Sequence, residues 1–156
     1  MFVAGAPDNP QERLGAGVDA PIIDKFDGMV RAMGLERAEI VIASPGDAIV
    51  TSDAWVAHLN ELTLRLRPEV VVALGESAAR ALGLDVTRLE GVRGTWGRWR
   101  HPQGWGIEVP VMVTHHPEFL LRHYTPAVRG EVWADLQKVM AALRGPKSAE
   151  SGDALR

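Results

Sequence analysis

Cysteine is absent from all 156 residues of this chain. That excludes disulfides, thiolate metal sites, thiol nucleophiles and cysteine-held iron–sulfur clusters. Long apolar runs are missing too, and none approaches the roughly 20 residues that a bilayer-spanning helix needs. No basic region precedes the start Met1-Phe2-Val3-Ala4-Gly5, which Pro7 cuts short. Neither a signal peptide nor a membrane span is expected, and the cytoplasm is the expected location. Strong charge of one sign is also lacking: a formal net charge of −3 argues against indiscriminate binding of polyanions. Finally, no G-x-G-x-x-G or G-K-S/T loop follows the first strand, which disfavours a nucleotide-type small-molecule enzyme.

What is present suits one globular domain. Apolar residues make up 46% and charged residues 24%, ordinary for a soluble fold. Residues 2–4 read as a short strand, cut by Gly5-Ala6-Pro7-Asp8-Asn9-Pro10. Ile22, Ile23, Phe26, Met29, Val30 and Met33 recur at helical spacing, and Gly34 closes that helix. Residues 39–43 form a second strand. Trp55, Leu59, Leu62 and Leu66 mark a helix that Pro68 stops. Residues 70–74 are a third strand, apolar on both faces. A short helix follows Gly75, residues 93–99 alternate as a hairpin arm, and 106–113 supply the next strand. Val128, Val132, Leu136, Met140 and Leu143 trace a last helix. The expected domain spans 1–144, with an unstructured polar tail over 145–156. Strands alternating with helices imply a doubly wound, mostly parallel sheet.

In such a sheet, ligands bind beyond the carboxyl ends of the strands. Four turns should gather there: Ala6-Pro7-Asp8, Ser44-Pro45, Gly75-Glu76 and His115-His116. Histidine shares or changes a proton near neutral pH, so His116 is the leading candidate for chemistry. Its competing role is to cap the helix opened by Pro117. His115 reads as a surface histidine or as a second contact to a ligand. His123 has no carboxylate or thiol at matching spacing, and no metal is expected. Arg88, Arg93, Arg98 and Arg100, with Trp96, Trp99 and Trp105, mix cations and flat rings. That stretch suits either phosphate tracking with base stacking or a solvated hairpin with inward tryptophans.

These segments resemble the uracil-DNA glycosylase superfamily, most closely its iron–sulfur branch, family 4. Phe2-Val3-Ala4-Gly5-Ala6-Pro7-Asp8 is similar to that branch's F-V-G-E-A-P-G motif, and Glu12-Arg13-Leu14-Gly15 to its E-D-R-x-G stretch. Arg67-Pro68-Glu69-Val70-Val71-Val72-Ala73-Leu74-Gly75 resembles R-P-K-V-I-V-A-L-G. Arg93-Gly94 resembles the R-G motif, and His116-Pro117-Glu118-Phe119-Leu120-Leu121-Arg122 resembles H-P-x-x-L-L-R. Val132-Trp133-Ala134-Asp135-Leu136 is similar to the closing helix. The departures are as informative. The motif's acid falls on Gly5, its last glycine on Asp8, and the uracil-reading asparagine on Ser44, while every cluster cysteine is missing.

The resemblance implies a three-layer α/β/α fold around a central, mostly parallel, four-stranded sheet. It implies a domain of DNA repair or replication that contacts DNA locally and salt-sensitively, with no iron–sulfur cluster or other cofactor. His116 would stabilise charge on a departing base, and Asp8 is the candidate substitute for the missing acid, against plain turn chemistry. Ala6, Pro7, Ser44, Gly75 and His115 would surround the base. Arg93, Pro117, Leu120, Leu121 and Arg122 would touch DNA, with the leucines as a wedge or as core. The expected activity is weak excision of a damaged base, by hydrolysis of an N-glycosidic bond. The alternative is an inactive module that binds a replication or repair protein, as the clamp-loader psi subunit does.

Overall fold

The computed structural model describes residues 1–154, and side chains through residue 145. Five strands form one sheet in the order β2-β1-β3-β5-β4. They are β1 (Phe2–Ala4), β2 (Ile42–Ala43), β3 (Val71–Leu74), β4 (Trp96–Arg100) and β5 (Glu108–Thr114). The first three and β5 run parallel, whereas β4 pairs antiparallel with β5. The helices are α1 (Ala20–Ala32), α2 (Ser52–Leu66), α3 (Glu76–Ala81), α4 (Leu89–Val92), α5 (Pro117–Arg122) and α6 (Pro126–Ala154).

The two-residue period of a strand explains why the central strands are apolar on both faces. Phe2, Ala4, Val72, Leu74 and Met112 point into a core shared with Phe26, Met29 and Val30 of α1, Leu120 of α5 and Leu136 of α6. Val3, Val71, Ala73, Val111 and Val113 point the other way, against Trp55 and Leu59 of α2 and the alanines of α3. The sheet is therefore covered on both sides.

Three expectations change. The sheet has five strands rather than four, because the alternating arm 96–100 pairs along β5, from Trp96 opposite Met112 to Arg100 opposite Glu108. The second strand shrinks to two residues. Residues Arg37–Glu39 form a 3₁₀ turn instead, locked by a capping box in which the Glu36 amide donates to Glu39 Oε2 at 2.7 Å. The tryptophans divide: Trp99 is buried and donates to Asn60 Oδ1 at 2.8 Å, whereas Trp96 and Trp105 are exposed. The hairpin tip carrying Trp105 also lies at the amino end of β5, the opposite end from the histidines. As for the segment 145–156, the backbone helix α6 continues to Ala154, and the side chains from 146 onward lie outside the described residues.

Candidate active site

The parallel register aligns Ala4, Leu74 and Thr114 across β1, β3 and β5, with Ala43 of β2 beside Val3. The turns that leave these residues share one rim. Gly5 takes φ +84, and the Trp55 indole donates to its carbonyl at 3.2 Å, pinning the first loop to α2. Asn9 Nδ2 donates to Ser77 Oγ at 3.1 Å, tying that loop to α3. Asp8 is left exposed on the turn. Pro7 is half-buried and Ala6 is buried below it. Ser44 Oγ accepts from the Leu14 amide at 2.9 Å, so this hydroxyl holds backbone in place. Arg13 joins the same knot through Asp47 at 3.2 Å.

Glu12 occupies the centre of the rim. It ends the 3₁₀ turn Pro10–Glu12, which crosses between the β1 and β3 loops. A Cβ added to Gly75 would lie 3.0 Å from both carboxylate oxygens of Glu12. One added to Gly5 would lie 3.1 Å from the backbone of Glu12 and Arg13. Glycine at both positions is thus explained by close approach, and no side chain fits at Gly5. Burial pushes the Glu12 pKa above its ordinary value; Ser77 opposes this, and the charges of Glu76 and Glu118 reinforce it.

His116 is 2% exposed at the exit of β5. Its Nδ1 accepts from the Glu118 amide at 3.0 Å, which makes it the N-cap of α5. An accepting Nδ1 places the proton of the neutral ring on Nε2. That buried Nε2 faces the Glu12 backbone, whose hydrogen-bonding pull favours the protonated ring. Nδ1 therefore takes the capping role, and Nε2 is left to the Glu12 side of the rim. Burial lowers its pKa from 6.5 to about 4, while the Glu12 backbone and the Glu118 charge pull the other way. The ring is neutral at pH 7.

A stability prediction follows from that shift. A histidine with a lowered folded pKa binds fewer protons when folded, so its contribution is complete above pH 6.5 and is lost as pH falls toward 4. Glu12 has the opposite sign: with a raised folded pKa, its contribution is complete below 4.5 and is lost as pH rises through the folded value. Urea melts should show the wild type losing about 3 kcal/mol to this ring between neutral pH and about pH 4. The His116→Gln variant should lack that component. Parallel pH profiles for the two proteins would refute the assignment.

His115, a surface histidine on one sequence reading, is 6% exposed. Its Nε2 lies 2.7 Å from Glu131 Oε2 on α6, and its ring stacks on Phe119 with centroids 4.8 Å apart. The two adjacent imidazoles thus engage different partners. Arg93 is half-buried and turns inward: Nη1 donates to Asp135 Oδ1 and Oδ2 at 2.8 and 2.9 Å. Asp135 is 1% exposed and also accepts from Thr114 Oγ1 at 2.7 Å, at the very end of β5. Pro117 and Leu120 are buried, and Leu120 belongs to the core. Leu121 is 36% exposed, and Arg122 pairs with Glu118. The rim therefore brings together Ala6, Ser44, Gly75 and His116 around Glu12. Asp8, Arg93 and Leu120 stand apart from it.

A model of the uracil DNA glycosylase superfamily matches residues 10–137. The chain belongs to that superfamily. The matched span of this glycosylase-superfamily domain runs from the turn bearing Glu12 into the closing helix, and it includes Ser44, Gly75, Arg93, His116 and Asp135. Among the described residues, no helix is long and apolar enough to cross a membrane.

Sequence reasoning gave Glu12 little weight and assigned no part to Glu131 or Asp135. A 3₁₀ turn has no periodicity to reveal it. The available signal was a Glu-Arg pair inside a loop that has to cross the rim. Asp135 sits on the inward face marked by Val132, Leu136 and Val139, a position where an acid requires a buried partner.

Proposed function

We propose that this domain binds DNA in the cytoplasm and excises a base slowly by hydrolysing its N-glycosidic bond. One observation carries the reading: at the carboxyl rim of the parallel sheet, within the matched span, the Glu12 carboxylate lies against Gly75 while its backbone engages the buried His116.

In the proposed step, water adds to C1′ of the sugar as the bond to the base breaks. The bonding electrons leave with the base, and His116 Nε2–H donates to the oxygen on which negative charge builds. A neutral imidazole suits this work, because it donates without first giving up a proton. Glu12 accepts the proton of the water, in place of the acid that Gly5 lacks. The rate is low because the Ser44 hydroxyl, which already accepts from the Leu14 amide, cannot present the paired donor and acceptor with which an amide reads a base. Glu12→Gln should cut excision by about 10²-fold or more, the usual loss with a general base, while DNA binding stays intact. Unchanged excision by that variant would remove Glu12 from the mechanism.

DNA contact is local, through Arg122 beside the rim. An inactive partner-binding module is the competing reading, favoured by an open groove on the α1 side of the sheet. Release of free base from oligonucleotides carrying uracil, hypoxanthine or xanthine separates the two. No release from any of them would leave only the binding module.

A further inference from the structure

The geometry points to the groove between α1, α5 and α6 as the docking site for an acidic, amphipathic helix of a partner protein. This inference stands apart from base excision, since none of the groove residues belongs to the rim. The groove encloses about 750 Å³. Its floor is aliphatic, with Met29, Val132 and Leu136, and three large apolar side chains stay exposed around it. Leu121 is 36% exposed, Trp133 42% and Tyr124 55%. Clustered exposure of this kind marks interaction surfaces.

Charge selects the occupant. Lys25 Nζ lies 4.2 Å from the centroid of the Tyr124 ring, and Arg129 Cζ lies 4.9 Å from it. Two cations from different helices thus meet on one ring at the mouth of the groove. Neither forms an ion pair among the described residues, whereas Arg13, Arg37, Arg80, Arg93, Arg98 and Arg122 all do. Among the described residues, Asp24 is the single acid in the lining against Lys25 and Arg129, so their sum is positive. An anionic partner is called for, and the apolar floor requires that it also bring aliphatic anchors. Nucleic acid supplies the charge without the anchors, and the cations already engage the tyrosine ring on which a base would stack.

The shape suits a helix. Pro21, Gly28 and Ala32 line one side of α1, and Gly130 lies opposite on α6. Glycine inside a helix costs stability relative to alanine. Yet a Cβ added at Gly28 or Gly130 would meet nothing within 4 Å, so the fold itself does not require either glycine. The groove wall is therefore open at both positions to the backbone of a partner. The run from Pro21 to Ala32 is about 16 Å long at the helical rise, room for three turns presenting anchors at i, i+4 and i+7.

The test uses a fluorescein-labelled helical peptide of about four turns, with leucines on one face and glutamates on the flanks. Its controls are the same peptide with lysine replacing glutamate, and an oligothymidylate. The acidic peptide should bind the full chain at least about tenfold more tightly than the lysine peptide, read by fluorescence anisotropy. The Lys25→Glu, Arg129→Glu double variant should invert that preference. Gly28→Leu, which fills open space on an exposed helix face, should block binding while thermal unfolding shows the fold retained. Equal affinity for both peptides, or binding of the acidic peptide unchanged by Gly28→Leu, overturns the proposal. So does displacement of the peptide by oligothymidylate, or sedimentation showing that a second copy of the chain fills the groove.

Discussion

Truncating Arg93 to alanine is expected to destabilise the folded chain by about 3–5 kcal/mol, the usual cost of leaving a buried charge without its partner. Asp135 is 1% exposed and takes both of its strong hydrogen bonds from Arg93 Nη1, with the Thr114 hydroxyl as its third donor. Natural domains hold only about 5–15 kcal/mol in total, so this single change should consume a large share of the stability. The midpoint of thermal unfolding should fall by roughly 6–20 °C in a chain of this size. Gly94 belongs to the same device. It adopts φ +74, and a Cβ there would sit 2.7 Å from Asp135 Oδ1, while its carbonyl accepts from Lys138 Nζ at 2.6 Å. The Arg-Gly pair is thus a clamp that fixes the end of β5 to α6. A loss below about 1 kcal/mol in urea melts of Arg93→Ala would show that Asp135 finds another partner and that the clamp is dispensable.

His116→Ala is expected to lower base excision by about 10²–10³-fold, the usual cost of removing one preorganised donor from a developing oxyanion. DNA binding through the flanking surface should persist. Because Nδ1 caps α5 while Nε2 faces the rim, the two jobs of the ring can be separated. Glutamine can replace a donor without an imidazole's geometry, so His116→Gln should retain more activity than alanine. Equal activity in wild type and His116→Ala would reduce this histidine to a helix cap.

Much of the fold was legible because the central strands obey a simple rule. Short apolar runs at 2–4, 70–74 and 109–113, the last two rich in valine and each followed by turn residues, read as strands buried on both faces. The helices showed through spacing alone, as in Phe26, Met29, Val30 and Met33. Legibility failed where local chemistry competed with pattern. The residues before β2 alternate plausibly, but the Glu36–Glu39 capping box drew them into a turn. The arm 93–99 reads as extended, yet nothing in its own sequence says which strand it will join. At the site, the sequence located His116 and the gathering of turns. It could not show Glu12 lying over Gly75, since that contact depends on two glycines leaving room from opposite sides. Nor could it show His115 sealed by Glu131, a partner from a different element. Arg93 read as a phosphate contact because its charge was visible and its buried acid was not.

The central claim is that the rim around Glu12 and His116 receives and releases a DNA base. Single-turnover release of free base from uracil, hypoxanthine and xanthine oligonucleotides, with His116→Ala as the blank, tests it most directly. Slow release of at least one base by the wild type, absent from the variant, is the expected result. No release by well-folded wild-type protein, or equal release by the two, would contradict it.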